Sequence, residues 1–569
     1  MGLINLGNEG DPVLTRLVEE DKVPWYRKRN LRLLYLLLYP TCMGIEITSG
    51  FDSQLINGAQ FIPPWLKCKS HPRTTNNHLR SADFGHPSID VKGNHVHVID
   101  APLLGIISAC YSLGAISMVP IVPMVAQRFG RRWSIFIGSF IQCVGALMQG
   151  FSVHVGMYIV GRMILGSGII FCIVSGSAML GELSYPKERP MMTSMFNASY
   201  FVGSLIASGI IVRTALIPND WGWRIPSLLQ CVPSMLQMGL VFFLPESPRY
   251  LISKDRHAEA FKILAHYHAE GDQDSIFAKA EMAQIETTIK LELESANLSW
   301  WDMVRSPGMR RRTFIAMAMG LYTQWSGNTL ISFYLSKILV LIGYTDTYTK
   351  TMINLGQTAW SFVNGTVIAL VAPRFPRRVM FLTGAIGMLL VVASWAAAQA
   401  QAQKALEHGT TNHGAGIAVI FLIYFYSVWY NIGNNALTYT YLIELFPYAE
   451  RSRGISIEQF FGRGASFFTN FVNPIGVDAA GWKYLLMYLG LLVLEILTIW
   501  FFYPETYGRT LEELAFLFED RDVAEKATVA VEKTIHYGGD HDKDAMDGEH
   551  IERGQEVVVD GGEKGKKVD

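Results

Sequence analysis

Charge is scarce in this sequence. Asp, Glu, Lys and Arg make up only 17% of its 569 residues while half of the chain is hydrophobic, too apolar a balance for a surface wholly bathed in water. The two signs nearly cancel to a net charge of -1, so there is no surplus of Lys and Arg to neutralise a phosphate backbone, and nucleic acid is not expected as a partner. Cysteine is sparse as well. Five of the six cysteines (Cys42, Cys110, Cys143, Cys172 and Cys231) lie in apolar stretches and Cys68 has no companion at metal-ligand spacing, which argues against a disulfide framework or a zinc site. His95/His97 and His266/His268 lack further ligands, and there is no phosphate-cradling Gly-rich loop, so no cofactor is expected and ATP is not the energy source. The first thirty residues have no short apolar core with a small-residue cleavage site, so the first hydrophobic span must itself direct insertion.

What is present is a series of apolar runs, each long enough at roughly 20 residues to cross a bilayer as a helix. Twelve begin near Leu31, Leu103, Trp133, Gly156, Met195, Trp223, Thr313, Met352, Val379, Gly416, Ser456 and Tyr484, with a charged interval from Arg249 to Arg312 between the sixth and the seventh. Basic clusters at Arg27 to Arg29, Arg128 to Arg132, Lys187 to Arg189, Arg374 to Arg378 and Arg451 to Arg453 fall on one side, which places them and both termini in the cytosol. The central interval reads as short amphipathic helices and the Asp-, Glu-, Lys- and Gly-rich tail after Asp520 as disordered. Three signatures recur in the same order about 250 residues apart: RFGRR from Arg128 and RFPRR from Arg374, ELSYPKER from Glu182 and ELFPYAER from Glu444, PESPR from Pro245 and PETYGR from Pro504. This is the mark of two homologous bundles.

Arg131, Arg132, Glu182, Arg189, Arg377, Arg378, Glu444 and Arg451 stand at cytosolic helix ends, where ion pairs that break and reform as two bundles rock would latch one access state. Plain topology would also put arginines there. Inside the spans an ionisable side chain costs roughly 3 kcal/mol or more unless it faces water or a partner. Glu46 and Asp52, six positions apart and so on different faces of the first span, and Arg162 in the fourth are therefore candidates. Asp52 facing Arg162 could take a proton when the pair separates; the plainer reading is a static ion pair. In the seventh span, Thr323, Gln324, Ser326 and Asn328 offer hydrogen bonds, with Gln324 read as ligand binding and Ser326 as packing, and Trp325 and Tyr334 offer faces for stacking on a sugar. Asn197, Tyr439, Asn470 and Asn473 extend the polar set. The sequons at Asn197, Asn297 and Asn364 fall in spans or the cytosolic interval and are read as unused.

RFGRR, GELSYPKER, PESPRYL, ELFPYAERSRG and PETYGRTLEEL resemble the stations of the sugar porter family of the major facilitator superfamily, over residues 30 to 518. QWSGN from Gln324, AHYHAEGD from Ala265 and NPI with GWKYL from Asn473 resemble its fungal branch of lactose permease-like and cellodextrin transporters. The resemblance implies an all-α membrane protein of twelve transmembrane helices in two six-helix bundles, with a cytosolic helical segment between the halves. The divisions are a cytosolic segment 1–30, bundles 31–248 and 313–518, the helical linker 249–312 and the tail 519–569. It implies a solute site between the bundles formed by Asn197, Ser204, Gln324, Thr329, Ser361, Tyr439 and Arg463, to which the residue reading adds Asn328 and Asn470, and proton coupling through Asp52 and Arg162. The partners are then a sugar, protons and lipid; the chain is a monomer in the plasma membrane and not an enzyme.

Departures from the pattern bear on substrate. Ser361 and Arg463 stand where Asn is usual, Glu46 where a small residue is usual, and Gln127 and Pro373 replace the acidic residue before each basic loop, which predicts altered gating. Arg463 could neutralise a carboxylated solute, such as a sugar acid or a quinate-like anion, or pair with Glu46 or Glu458. A non-transporting sugar receptor is the remaining alternative. The polar stretch from Cys68 to Val98 is long for an extracellular loop of this family, and Cys68-Lys69-Ser70 can be encoded by TGTAAGTCN, so an unspliced intron is a second origin for it.

Overall fold

The computed structural model describes residues 22–60, 62, 65, 86–89, 95–98, 100–295, 301–344, 346–408, 410, 412–446 and 451–506. Within these, twelve helical spans follow one another, six on each side of a cytosolic helical segment. The first half comprises Arg29–Ala59, Ala101–Met118, Arg131–Gly150, Val155–Leu183, Arg189–Thr214 and Trp221–Phe243. The second comprises Pro307–Trp325 continued by Asn328–Leu341, then Thr347–Val371, Arg377–Glu407, His413–Tyr430 continued to Leu445, Arg451–Ala480 and Tyr484–Phe502. Between them lie short helices Pro248–Ile252, His257–His268, Ile276–Ser295 and Asp302–Arg305. Among the described residues the only strands are an antiparallel hairpin of His86–Ile89 with His95–Val98, between the first two spans in sequence. The rest of the questioned stretch after Cys68 lies outside the described residues, as does the tail.

Local chemistry sets the helix boundaries. His154, Ser306, Asp346 and Asn412 each accept a hydrogen bond from a backbone N–H three residues on, capping the spans that follow them. Close helix approach depends on small residues. A Cβ on Gly203 would lie 1.9 Å from the Ile47 carbonyl oxygen, so only glycine lets the first and fifth spans pack backbone to backbone. The seventh span breaks after Trp325, where Gly327 adopts φ +107°, and the tenth carries a π-turn at Asn431–Asn435. Both irregularities face the space between the halves, where freed backbone groups can meet water or solute.

Candidate functional site

The two halves enclose a polar cavity of about 270 Å³. The first, second and fifth spans contribute Glu46, Ser49, Asp52, Ser53, Gln54, Tyr111, Ser112, Asn197, Tyr200, Phe201 and Ser204 to it. The seventh and eighth contribute Thr323, Gln324, Asn328, Thr329, Gln357, Thr358 and Ser361; the tenth and eleventh Tyr426, Ser427, Tyr430, Asn431, Asn434, Asn435, Thr438, Glu458, Gln459, Arg463, Ser466 and Asn470. Amides and hydroxyls dominate this wall. Such a surface competes with water for a solute rich in hydroxyls and offers little to an apolar one.

Of the residues predicted to bind solute, Asn197, Ser204, Gln324, Asn328, Thr329, Ser361, Arg463 and Asn470 line the cavity. The side chain of Tyr439 lies outside the described residues, beside the lining Thr438. The eight are not equally available. Ser204 spends its hydroxyl on the Gly50 carbonyl at 3.2 Å, Ser361 accepts from Gln357 at 3.1 Å, and Asn470 donates to Ser466 at 3.3 Å. Asn197, Gln324 and Arg463 make no side-chain hydrogen bond among the described residues.

Three expectations need correction. Tyr334 is fully buried and donates its hydroxyl to the Asn470 carbonyl at 2.6 Å, and Trp325 packs edge-on to Phe468, so neither offers a stacking face to the cavity. Asn473 is buried behind the wall, holding the hydroxyls of Tyr484 and Tyr488. Arg463 pairs with neither Glu46 nor Glu458 at ion-pair distance: Glu458 is five positions back on the same helix, and Glu46 belongs to the opposite half. The residues missed are Tyr430, Asn431, Asn434, Asn435, Gln357 and Thr358. The Asn cluster in NIGNN, set within an apolar span, was the available signal.

Asp52 and Arg162 meet in the core of the first half. Arg162 Nη1 lies 3.0 Å from Asp52 Oδ1, which also accepts from Gln230 Nε2 at 2.7 Å, and the guanidinium sits over the Tyr111 ring. Asp52 lines the cavity and Arg162 stands behind it, fully buried. Glu46 lines the same cavity despite its offset from Asp52, because the cavity is wide enough to take in both helix faces.

Cytosolic helix ends carry the repeated signatures as two equivalent clamps. Arg131 pairs with Glu182 at 3.1 Å while the Arg131 and Arg132 backbone N–H groups donate to Glu246; Arg377 pairs with Glu444 at 3.1 Å while those of Arg377 and Arg378 donate to Glu505. Burial pushes the Glu246 carboxyl above its ordinary range, against the pull of those N–H groups. These pairs join helices within one half. Among the described residues they do not bridge the halves, so the structure shows ties within each bundle's cytosolic end and not the expected latch between bundles. Arg132 and Arg378 hold carbonyls of Phe242 and Trp500, and the side chains of Arg189 and Arg451 lie outside the described residues.

Among the described residues, side-chain hydrogen bonds between the halves lie away from the cytosolic ends. Asn57 donates to Asn354 at 2.9 Å, Asn354 donates to Gln54 and Ser208 at 3.3 Å each, and Ser112 donates to Ser466 at 3.1 Å. The amide cluster of Asn57, Asn354 and Gln54 ties the halves together near the extracellular ends of the first and eighth spans.

A family model described as "Sugar (and other) transporter" matches residues 37–518. The chain belongs to this family. Among its relatives are hexose transporter HXT13 of Saccharomyces cerevisiae, 26% identical over 491 residues covering 86% of this chain and 83% of that protein, and the high-affinity glucose transporter of Kluyveromyces lactis, 26% identical over 452 residues covering 76% and 80%. The MFS-type transporter criB of Aspergillus cristatus is 25% identical over 412 residues, covering 71% and 82%. Among solved structures, the proton:xylose symporter XylE bound to 6-bromo-6-deoxy-D-glucose superposes with a TM-score of 0.66 at 20% identity, covering 86% of this chain and all of that one. The inward-open XylE of E. coli gives 0.64 at 19% identity, covering 85% and 100%. The fold is thus that of the major facilitators, and the chain is a multi-pass membrane transporter of the sugar porter family, not an enzyme.

Proposed function

We propose that this transporter carries a mono- or disaccharide with protons across the plasma membrane by alternating access, working as a monomer. The observation that carries this reading is the polar cavity between the halves with the buried Asp52–Arg162 pair at its wall. Solute would be held by hydroxyl and amide contacts from Asn197, Gln324, Asn328 and Asn470, and Asp52 would take its proton when Arg162 and Gln230 let go. The relatives named for hexose and glucose favour a sugar, and the solved relative named as a proton:xylose symporter favours coupling. The cytosolic clamps would keep each bundle rigid as the halves rock.

A second reading rests on Arg463. Arg463 lines the cavity without an ion pair among the described residues, as a carboxylated solute such as a sugar acid or quinate would require. The experiment is uptake of labelled lactose, cellobiose, glucose, xylose and quinate at pH 5 and pH 7.5 by yeast lacking its own sugar carriers, for the native chain and Asp52→Asn. Acid-stimulated sugar uptake lost in the variant is the expected result. Uptake of quinate alone would replace the first reading with the second, and pH-independent uptake in both chains would remove the coupling.

A further inference from the structure

The cavity holds more negative charge than its cations answer. Asp52 is matched by Arg162 at 3.0 Å. Beyond that pair the charged lining residues are Glu46, Glu458 and Arg463, and no lysine, histidine or second arginine joins them among the described residues. One guanidinium cannot neutralise two carboxylates. With both ionised, the set leaves one uncompensated negative charge in the interior of the membrane domain, the arrangement a poorly hydrated site tolerates least.

The surroundings distinguish the two glutamates. Glu458 accepts a hydrogen bond from Gln459 at 3.0 Å and shares a helix with Arg463. Glu46 is 8% exposed, lines the cavity and has no hydrogen-bond donor among the described residues. The other titratable groups lining the cavity are Asp52, already matched, and the phenols of Tyr111, Tyr200, Tyr426 and Tyr430, and behind the wall the buried Glu495 accepts from the lining Asn434 at 3.1 Å. We propose that Glu46, Glu458 and Arg463 form a second proton-binding site, separate from Asp52 and Arg162, in which Glu46 holds the proton. The step is proton transfer from hydronium in the cavity water to a Glu46 carboxylate oxygen, leaving water and a neutral carboxylic acid and cancelling the excess charge. Glu46 belongs to one half and its partners to the other, so rocking changes their separation and makes occupancy depend on access state.

The inference deepens the proton-coupled reading of the same cavity, but its test does not require transport. Infrared spectra of the purified full-length chain in detergent at neutral pH, in H₂O and D₂O, report the carbonyl stretch of a protonated carboxylic acid. In a Glu495→Gln background, which removes a further buried carboxyl without an ion pair among the described residues, there should be a band that disappears in Glu46→Gln, persists at a shifted frequency in Glu46→Asp and persists in Asp52→Asn. Glu458→Gln should also abolish it, because Arg463 then suffices for an ionised Glu46. No difference between that background and its Glu46→Gln variant overturns the proposal, and so does a band that survives Glu458→Gln. A band seen only when sodium is replaced by choline marks a metal-cation site instead and overturns it too. If the band behaves as expected while uptake is independent of pH, the site stands and the symport reading falls.

Discussion

The two halves share a frame and divide the chemistry. Their cytosolic clamps are superposable in kind: an arginine paired across to a glutamate, and a second carboxylate capping the helix that begins at the arginine pair. Inside the membrane they part. The first half holds the buried ion pair Asp52–Arg162, whereas the second holds the two helix irregularities that border the cavity, at Gly327 and at Asn431–Asn435, with most of the neutral polar lining. The π-turn of the first half, Tyr39–Met43, lies outside the cavity wall. Residues repeated between the halves therefore build the rigid parts. Those that are not repeated give the first half a matched ion pair and the second the capacity to bend, most of the neutral lining and, without an ion pair among the described residues, Glu458 and Arg463.

The strongest way to break this comparison is Arg162→Ala. Removing one member of a fully buried ion pair strands Asp52, and the expected loss is about 3–5 kcal/mol, read as a lower midpoint in denaturation of the detergent-solubilised chain. Adding Asp52→Asn should return most of that loss, since the stranded charge is then gone; a double variant as unstable as the single one would mean that Arg162 acts through packing alone. The clamps supply the next test. Arg377 has 2% of its side chain exposed and Arg131 has 20%, so Arg377→Gln should destabilise the chain by a few kcal/mol and Arg131→Gln by about 1 kcal/mol. Equal losses would show that the second half is no more dependent on its clamp than the first.

How legible these differences were in the sequence depended on the physical signal behind each. The spans, the clamps and the Asp52–Arg162 pair were readable because hydropathy, charge in apolar runs and repeated motifs are local signals. By length and hydropathy alone, nine runs among the described residues qualify as spans: the seventh and eighth helices do not, and the last two merge as Arg453–Phe502. The seventh escapes because Arg310, Arg311 and Arg312 charge its first part and the break at Gly327 leaves its second part short, and the eighth because Asn354, Gln357 and Asn364 lower its hydropathy. Side-chain direction was not legible. Trp325 and Tyr334 sit within a cavity-lining segment yet turn away from the cavity, an outcome set by the break at Gly327, which no periodicity carried across it can anticipate.

Gly327 sharpens the comparison at smaller cost. In Gly327→Ala the new methyl would meet Tyr488 at an ordinary 3.6 Å, so the penalty is backbone strain at φ +107°, about 1–3 kcal/mol, and not collision. If bending of the seventh span limits turnover, maximal uptake should fall while the apparent affinity for the transported solute stays within about twofold. Gly203→Ala places its methyl against a backbone oxygen instead, and should lower the amount of folded chain in the membrane. An affinity change without a rate change in Gly327→Ala would move the break from the gating machinery into the binding site.

The smallest expected effect lies at the extracellular end of the eighth span. Asp346 accepts from the N–H and the hydroxyl of Thr349 at 2.7 Å each, and these bonds hold its carboxyl below its ordinary value. A depressed carboxylate stabilises the fold above its unfolded value and loses that contribution as pH falls through its folded value. Because the group is exposed, Asp346→Ala should cost about 1 kcal/mol or less at neutral pH, and the gap from the wild type should close in acid. Asp220, which precedes the sixth span in the other half, makes no such cap bond. Denaturation midpoints of Asp220→Ala should therefore match the wild type at neutral pH, and a loss equal to that of Asp346→Ala would assign both effects to general charge and not to the cap.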